Sequence, residues 1–136
     1  APETPRLVDK KDKLVILIAE DNESNYKLFE TILKKNYTLI HAWDGEEAVQ
    51  LFKQHNPHLV LMDINMPKMD GYEATQKIRE ISPDVPVMAI TAFAYAEDEQ
   101  HILNSGFNAY TSKPIQAEQL QKQIGNLLKK HFLFLY

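Results

Sequence analysis

Five polar side chains each stand just past a run of strand length. Glu20 and Asp21 follow residues 14–19, Asp63 follows 58–62, Thr91 follows 86–90, and Lys113 follows 107–111. Three carboxylates brought together repel one another, and without a partner one of them takes up a proton. A divalent cation relieves that repulsion, and an all-oxygen site with few carboxylates suits Mg²⁺. Lys113 adds a second positive charge and Thr91 a hydroxyl donor. A carboxylate nucleophile, a metal, a lysine and a hydroxyl together make a phosphoryl-transfer site. Taken singly, each has a plainer reading: an Asp after a strand is a turn or cap residue, Thr91 an ordinary strand end, Lys113 a solvated charge. Their coincidence at one edge is what points to chemistry.

That edge requires a particular arrangement of elements. Residues 14–19 (LVILIA), 58–62 and 86–90 are continuous apolar runs of strand length, as expected of strands buried on both faces. Residues 37–41 and 107–111 read as weaker strands. Between them lie helical patterns. The first is capped by Asp21 or Asn22 and carries Tyr26, Phe29, Ile32 and Leu33; the second opens on Asp44 with Glu47 at capping-box spacing. A third follows Gly71, a fourth covers residues 95–105 with Gly106 as its C-terminal cap, and a last one runs from Ile115 with Leu120, Ile124, Leu127 and Leu128 on one side. Strands alternating with helices of this length make βαβ units and a parallel sheet, hence a doubly wound α/β sandwich of five strands and five helices. In such a sheet ligands bind beyond the carboxyl ends of the strands, where all five polar residues fall.

Composition narrows the function further. The 136 residues suit one domain, with 44% apolar and 25% charged residues close to globular averages. No cysteine is present, so disulfides, thiol nucleophiles and Cys-ligated metals are excluded. A net charge of −4 argues against coating nucleic acid, and no apolar run reaches the length of a membrane span. The five histidines (His41, His55, His58, His101, His131) show no ligand spacing and read as structural. Residues 1–13 hold two prolines and no apolar period, and read as a linker or disordered tail. Residues 14–130 form the domain, and 131–136 (HFLFLY) an apolar tail that either packs on its own domain or meets a partner.

Four ordered blocks resemble the receiver domain of two-component response regulators: the acidic pair in ILIAEDN, the stretch LVLMDINMPKMDGYE around Asp63, the AITA run holding Thr91, and YTSKPI holding Lys113. The resemblance covers residues 14–128 and implies a flavodoxin-like sheet of strand order 2-1-3-4-5. It implies that Asp63 is the phosphoacceptor, taking a phosphoryl group from a kinase phosphohistidine. Asp21, Asp63 and the Asn65 backbone carbonyl would ligate Mg²⁺, with Glu20 acting indirectly. Lys113 and Thr91 would contact the phosphoryl oxygens, small Ala92 would leave them accessible, and the bond before Pro114 would be cis. Tyr110 resembles an aromatic switch residue, its plainer reading being a half-buried strand aromatic. The sparse apolar content of residues 96–104 fits an element able to rearrange, so the fourth helix, fifth strand and fifth helix form the expected switching face.

The expected partners are a histidine kinase or histidine phosphotransfer domain, with a homodimer through the switching face as a further expectation. Neither nucleic acid nor membrane is expected to touch this chain, and its compartment would be the cytoplasm even where a parent protein is membrane-anchored. The AEDNESN wording resembles receivers fused to hybrid sensor kinases, and a linker-like start without Met favours an excised piece over a stand-alone regulator. The chain itself would be a phosphoacceptor, whereas such a parent would be a kinase. Three rivals share parts of the pattern. An aspartyl-phosphate phosphatase uses Mg²⁺ and a carboxylate nucleophile but needs Asp-x-Asp after the first strand. A flavin module needs a phosphate loop where AEDNES is acidic. A docking module without phosphorylation would not need all five site residues.

Overall fold

Alternation along the buried strands decides which helices lie on which face of the sheet. In the computed structural model, which describes residues 6–9, 13–92 and 96–135, five parallel strands form the central sheet: β2 (Val15–Ala19), β3 (Thr38–Ala42), β4 (Leu59–Asp63), β5 (Val87–Thr91) and β6 (Ala109–Ser112). Leu17, Ala19, Val60, Met62, Val87 and Ala89 pack on one face with Phe52 and Val49 of α2 (Gly45–His55), Ala74 and Ile78 of α3 (Gly71–Ile81), and Ile102 of α4 (Ala96–Asn104). Ile16, Ile18, Leu59, Leu61, Met88 and Ile90 pack on the other, against Phe29 and Leu33 of α1 (Glu23–Leu33) and Leu120, Ile124 and Leu128 of α5 (Ala117–His131). The period of two in the strands thus feeds two separate cores.

The sheet order is β3-β2-β4-β5-β6. Counted over these five strands it is the expected 2-1-3-4-5. The chain passes from β2 outward to β3 and then crosses back to β4, so the order reverses between β2 and β4. Their carboxyl ends, carrying Glu20 and Asp63, flank the crevice where ligands bind in such sheets. β4 and β5 are buried throughout, while edge strand β3 is largely half-exposed, which explains its weaker apolar signal.

Helix starts follow the capping residues closely. The Asn22 side chain accepts from Asn25 N–H (3.0 Å), so Asn22 and not Asp21 caps α1, leaving the Asp21 carboxylate outside the cap. Asp44 accepts from Glu47 N–H (2.8 Å), and Glu47 reaches back to Trp43 N–H (3.2 Å), closing the box one residue earlier than the usual pairing. Asp70 accepts from Glu73 N–H (2.9 Å) to start α3. Gly71 brings that helix against the site: its N–H donates to Ile64 carbonyl (2.9 Å), and a Cβ there would overlap the Asp63 carbonyl oxygen. After α4 the chain turns at Gly106, whose φ of +98° favours glycine.

Beyond shifts of one residue at the other strands and at α4, two boundaries and one tail differ from expectation. The fifth central strand starts at Ala109 instead of Phe107, which is buried ahead of it and edge-on to Tyr72 (5.8 Å). The last helix starts at Ala117 instead of Ile115. The reading of residues 1–13 as a linker is corrected over β1 (Arg6–Asp9), which pairs in parallel with β7 (Phe132–Leu135) in a separate two-stranded sheet. The short segment lacks an apolar period of its own, and its strand pairing comes from the opposite end of the chain. Phe132 is buried in the α1/α5 core and meets the His58 ring (5.4 Å), so the apolar tail begins by packing on its own domain. Among the described residues no helix is long and apolar enough to cross a membrane.

Candidate phosphoryl and cation site

Asp63 is the last residue of β4, so its carboxylate emerges where the sheet ends, yet it is only 3% exposed. One oxygen, Oδ1, accepts from Asn65 N–H (3.0 Å); the other, Oδ2, accepts from Lys113 Nζ (3.0 Å). Glu20, the first residue past β2, is 1% exposed. Its Oε2 accepts from Asn22 N–H (3.2 Å) and its Oε1 lies 3.4 Å from Lys113 Nζ. Asp21 stands beside it, exposed.

Lys113 reaches this point because its own N–H donates to the Thr91 carbonyl (2.8 Å), tying the end of β6 to the end of β5. The bond from Lys113 to Pro114 is cis, as the resemblance implies. Thr91 is buried one residue beyond Ile90, the register partner of Asp63, and Ala92 next to it is exposed. The structure therefore gathers Glu20, Asp21, Asp63, Thr91 and Lys113 at one edge, with Asn65 joined to Asp63.

Electrostatics at this edge are strained in one direction. Burial and then the Asp63 charge push the Glu20 carboxyl up to about 7; Lys113 and the Asn22 N–H pull against this without prevailing. Burial alone would lower the Lys113 ammonium, but its hydrogen bond to Asp63 and the Asp63 and Glu20 charges outweigh it and raise the group overall. Glu20, Asp21 and Asp63 each offer an oxygen, all within 4.8 Å of one another. Glu20 Oε1 is sealed from water, and its contact with Lys113 Nζ at 3.4 Å is longer than the 3.0 Å hydrogen bond that Lys113 gives Asp63. A buried carboxylate oxygen beside two further carboxylates fits a hard divalent cation, which takes oxygen ligands and cancels their repulsion. No histidine joins this group, the one such cluster among the described residues.

Tyr110 is placed elsewhere. It sits half-buried on β6, its hydroxyl hydrogen-bonded to Glu99 of α4, and its phenol is raised by burial and by that carboxylate. Its carbonyl accepts from Gln123 Nε2 of α5 (3.0 Å). It lines a groove of about 410 Å³ with Leu103, Thr111, Gln119 and Gln123, between α4, β6 and α5. Two polar contacts, one beside the site and one at the opposite end of the sheet, have no signal in residue type or spacing. His41 donates to the Glu20 carbonyl (2.8 Å) from edge strand β3, and Arg79 of α3 binds Gly106 carbonyl and Asn108 Oδ1 (2.8 and 2.7 Å) below α4.

Known proteins resemble the chain in sequence and in shape. The polar-differentiation response regulator DivK of Brucella ovis is 39% identical over 116 residues, covering 83% of this chain and 94% of that protein. The sensor histidine kinase RcsC of Salmonella typhi is 36% identical over 124 residues; the match takes in 90% of this chain but 13% of that much longer protein. The receiver domain of the Pseudomonas aeruginosa sensor histidine kinase PA1611, solved with a magnesium ion coordinated in its active-site cleft, superposes with TM-score 0.80 at 32% identity, covering 87% of this chain and 99% of that one. The Saccharomyces cerevisiae Ssk1 receiver domain, solved in complex with the histidine phosphotransfer protein Ypd1, gives TM-score 0.83 at 30% identity over 89% of this chain and 92% of that one. Residues 16–125 match the response regulator receiver domain family, and the chain belongs to it.

Proposed function

We propose that Asp63 accepts a phosphoryl group from a phosphohistidine, carried by a histidine kinase or a phosphotransfer protein, and that the α4–β6–α5 face changes in response. The observation that carries this reading is the Asp63 carboxylate itself: buried at the sheet's switch point, held by Lys113 on one oxygen and Asn65 N–H on the other, and flanked by Glu20 and Asp21. The receiver solved with magnesium and the receiver solved with a phosphotransfer protein support the cation and the partner.

An Asp63 oxygen attacks phosphorus as the P–N bond breaks, and the imidazole nitrogen leaves with the electron pair, giving an acyl phosphate on Asp63. Lys113, 3.0 Å from the carboxylate, is within reach of the phosphoryl oxygens that replace its present partner. Thr91, at the neighbouring strand end, donates its hydroxyl to another of those oxygens. When bound, Mg²⁺ supplies charge neutralisation and alignment of the phosphoryl group, with Asp21, Asp63 and the Asn65 carbonyl as its protein ligands and Glu20 supporting them. The added phosphoryl carries close to two negative charges. Movement of Thr91 toward it opens space into which Tyr110 turns, leaving Glu99 and repacking the α4–β6–α5 groove. That groove is the surface for a downstream partner or a second copy. Exchange with a kinase places the chain in the cytoplasm.

The test is incubation with acetyl phosphate and Mg²⁺, followed by intact mass. One phosphoryl adduct, lost in alkali, dependent on Mg²⁺ and absent from Asp63→Asn, is expected. An adduct persisting in Asp63→Asn would sink the assignment.

A further inference from the structure

None of the phosphoryl chemistry above uses His41, the fourth residue of edge strand β3. Its Nε2 lies 2.8 Å from the Glu20 backbone carbonyl. A carbonyl only accepts, so Nε2 carries the proton and donates it. The ring is held from both sides: Tyr26 of α1 stacks on it at 3.7 Å and 3°, and Trp43 packs at 4.1 Å and 40°.

The carbonyl it holds belongs to the peptide joining Glu20 to Asp21, two of the three clustered acids. Glu20 N–H in turn donates to the Ala42 carbonyl (3.0 Å). Both backbone groups of Glu20 are therefore tied to β3, one residue past the end of β2. This is the point at which the chain has left the sheet and not yet entered α1. Repulsion among the Glu20, Asp21 and Asp63 carboxylates, all within 4.8 Å, would push this stretch outward were it not for those two ties.

We propose that His41 is a positioning residue for the acidic edge: clamped between Tyr26 and Trp43, it fixes the Glu20–Asp21 peptide against β3 and so sets the carboxylate spacing that a divalent cation requires. The inference rests on reading this edge as a cation and phosphoryl site, and adds to it a residue from an edge strand that carries no ligand.

The experiment titrates Mg²⁺ calorimetrically into the full chain and two variants, with far-UV circular dichroism as the check of folding. His41→Phe keeps a flat ring in the stack but has no N–H, and about tenfold weaker Mg²⁺ binding is expected, at the low end for residues that orient metal ligands. His41→Gln keeps a donor and restores most of the affinity. In adduct formation with acetyl phosphate, His41→Phe shifts the half-saturating Mg²⁺ concentration and leaves the rate at saturating Mg²⁺ close to that of the unaltered chain. A merely structural role would lower the melting temperature without that shift. Should His41→Phe fail to fold, Tyr26→Leu keeps the hydrogen bond but loosens the ring, and a smaller loss of affinity is expected. Unchanged affinity in folded His41→Phe (or, where that fails to fold, in Tyr26→Leu), or an equal loss in His41→Gln, overturns the inference and leaves the site standing. An unaltered chain that binds no Mg²⁺ overturns the site itself.

Discussion

Glu20 is the side chain at which burial and function meet most directly. Its carboxyl is raised from 4.5 to about 7, so the folded protein holds a proton there that the unfolded chain has already released. A carboxyl raised in this way contributes stability that is complete below the unfolded value and is lost as pH rises through the folded one. Without divalent cation, the melting temperature should therefore fall between pH 5 and pH 8. Glu20→Gln should flatten that slope and melt higher than the unaltered chain at pH 8, as thermal melts in chelator would show; a slope unchanged by the substitution would count against the assignment. At the same scale, Thr91→Ala should still form the Asp63 adduct with acetyl phosphate while losing any accompanying change around Tyr110, read from the Tyr110 ring resonances. The acids and Thr91 are legible in the sequence because they follow apolar runs, and Lys113 because it follows a weaker strand; the sheet geometry does the gathering. His41 is not, because its part is played by one ring nitrogen on a backbone carbonyl, which no pattern of residue types encodes.

Helices are held to this sheet by contacts more specific than apolar packing. The first turn of α3 lies against the backbone of Asp63 because Gly71 has no side chain there. Gly71→Val should destabilise the domain by about 1–3 kcal/mol, the range for overpacking, and should also weaken adduct formation, since the helix must move off the Asp63 loop. Urea unfolding and the acetyl phosphate assay separate the two effects. Arg79 does comparable work at the opposite end of the sheet, where its guanidinium binds the carbonyls of Gly106, Pro83 and Val85 as well as Asn108 Oδ1. Asn108 in turn accepts from Val87 N–H (2.8 Å) at the start of β5. Arg79→Met should cost about 3 kcal/mol through the polar groups left unpaired, with the Asp63 adduct still forming in the folded fraction. Element order, caps and faces could be read from apolar period and from Asn22, Asp44 and Asp70. Boundaries at residues 107 and 115 could not, because Phe107 and Ile115 are apolar residues that pack without joining an element. β1 was missed for a different reason: its pairing partner lies at the far end of the sequence.

Over the whole molecule, three acids are gathered at one edge of the sheet, and residues 6–9 and 132–135 are joined in a ladder of their own. The four paired positions run from Arg6 beside Phe132 to Asp9 beside Leu135, both strands pointing the same way. An isolated pair of strands is marginal in water, and this one leans on the core through Phe132. The parallel sense has a mechanical consequence. Tension applied between the ends of the chain pulls β1 back toward Arg6 and β7 forward toward Leu135, along the strand axis in opposite directions. The backbone hydrogen bonds are then loaded together in shear instead of being peeled one after another. Load carried along the polypeptide would meet this clasp before it reached α1, α5 or the sheet, so the acidic edge would keep its geometry until the clasp slid.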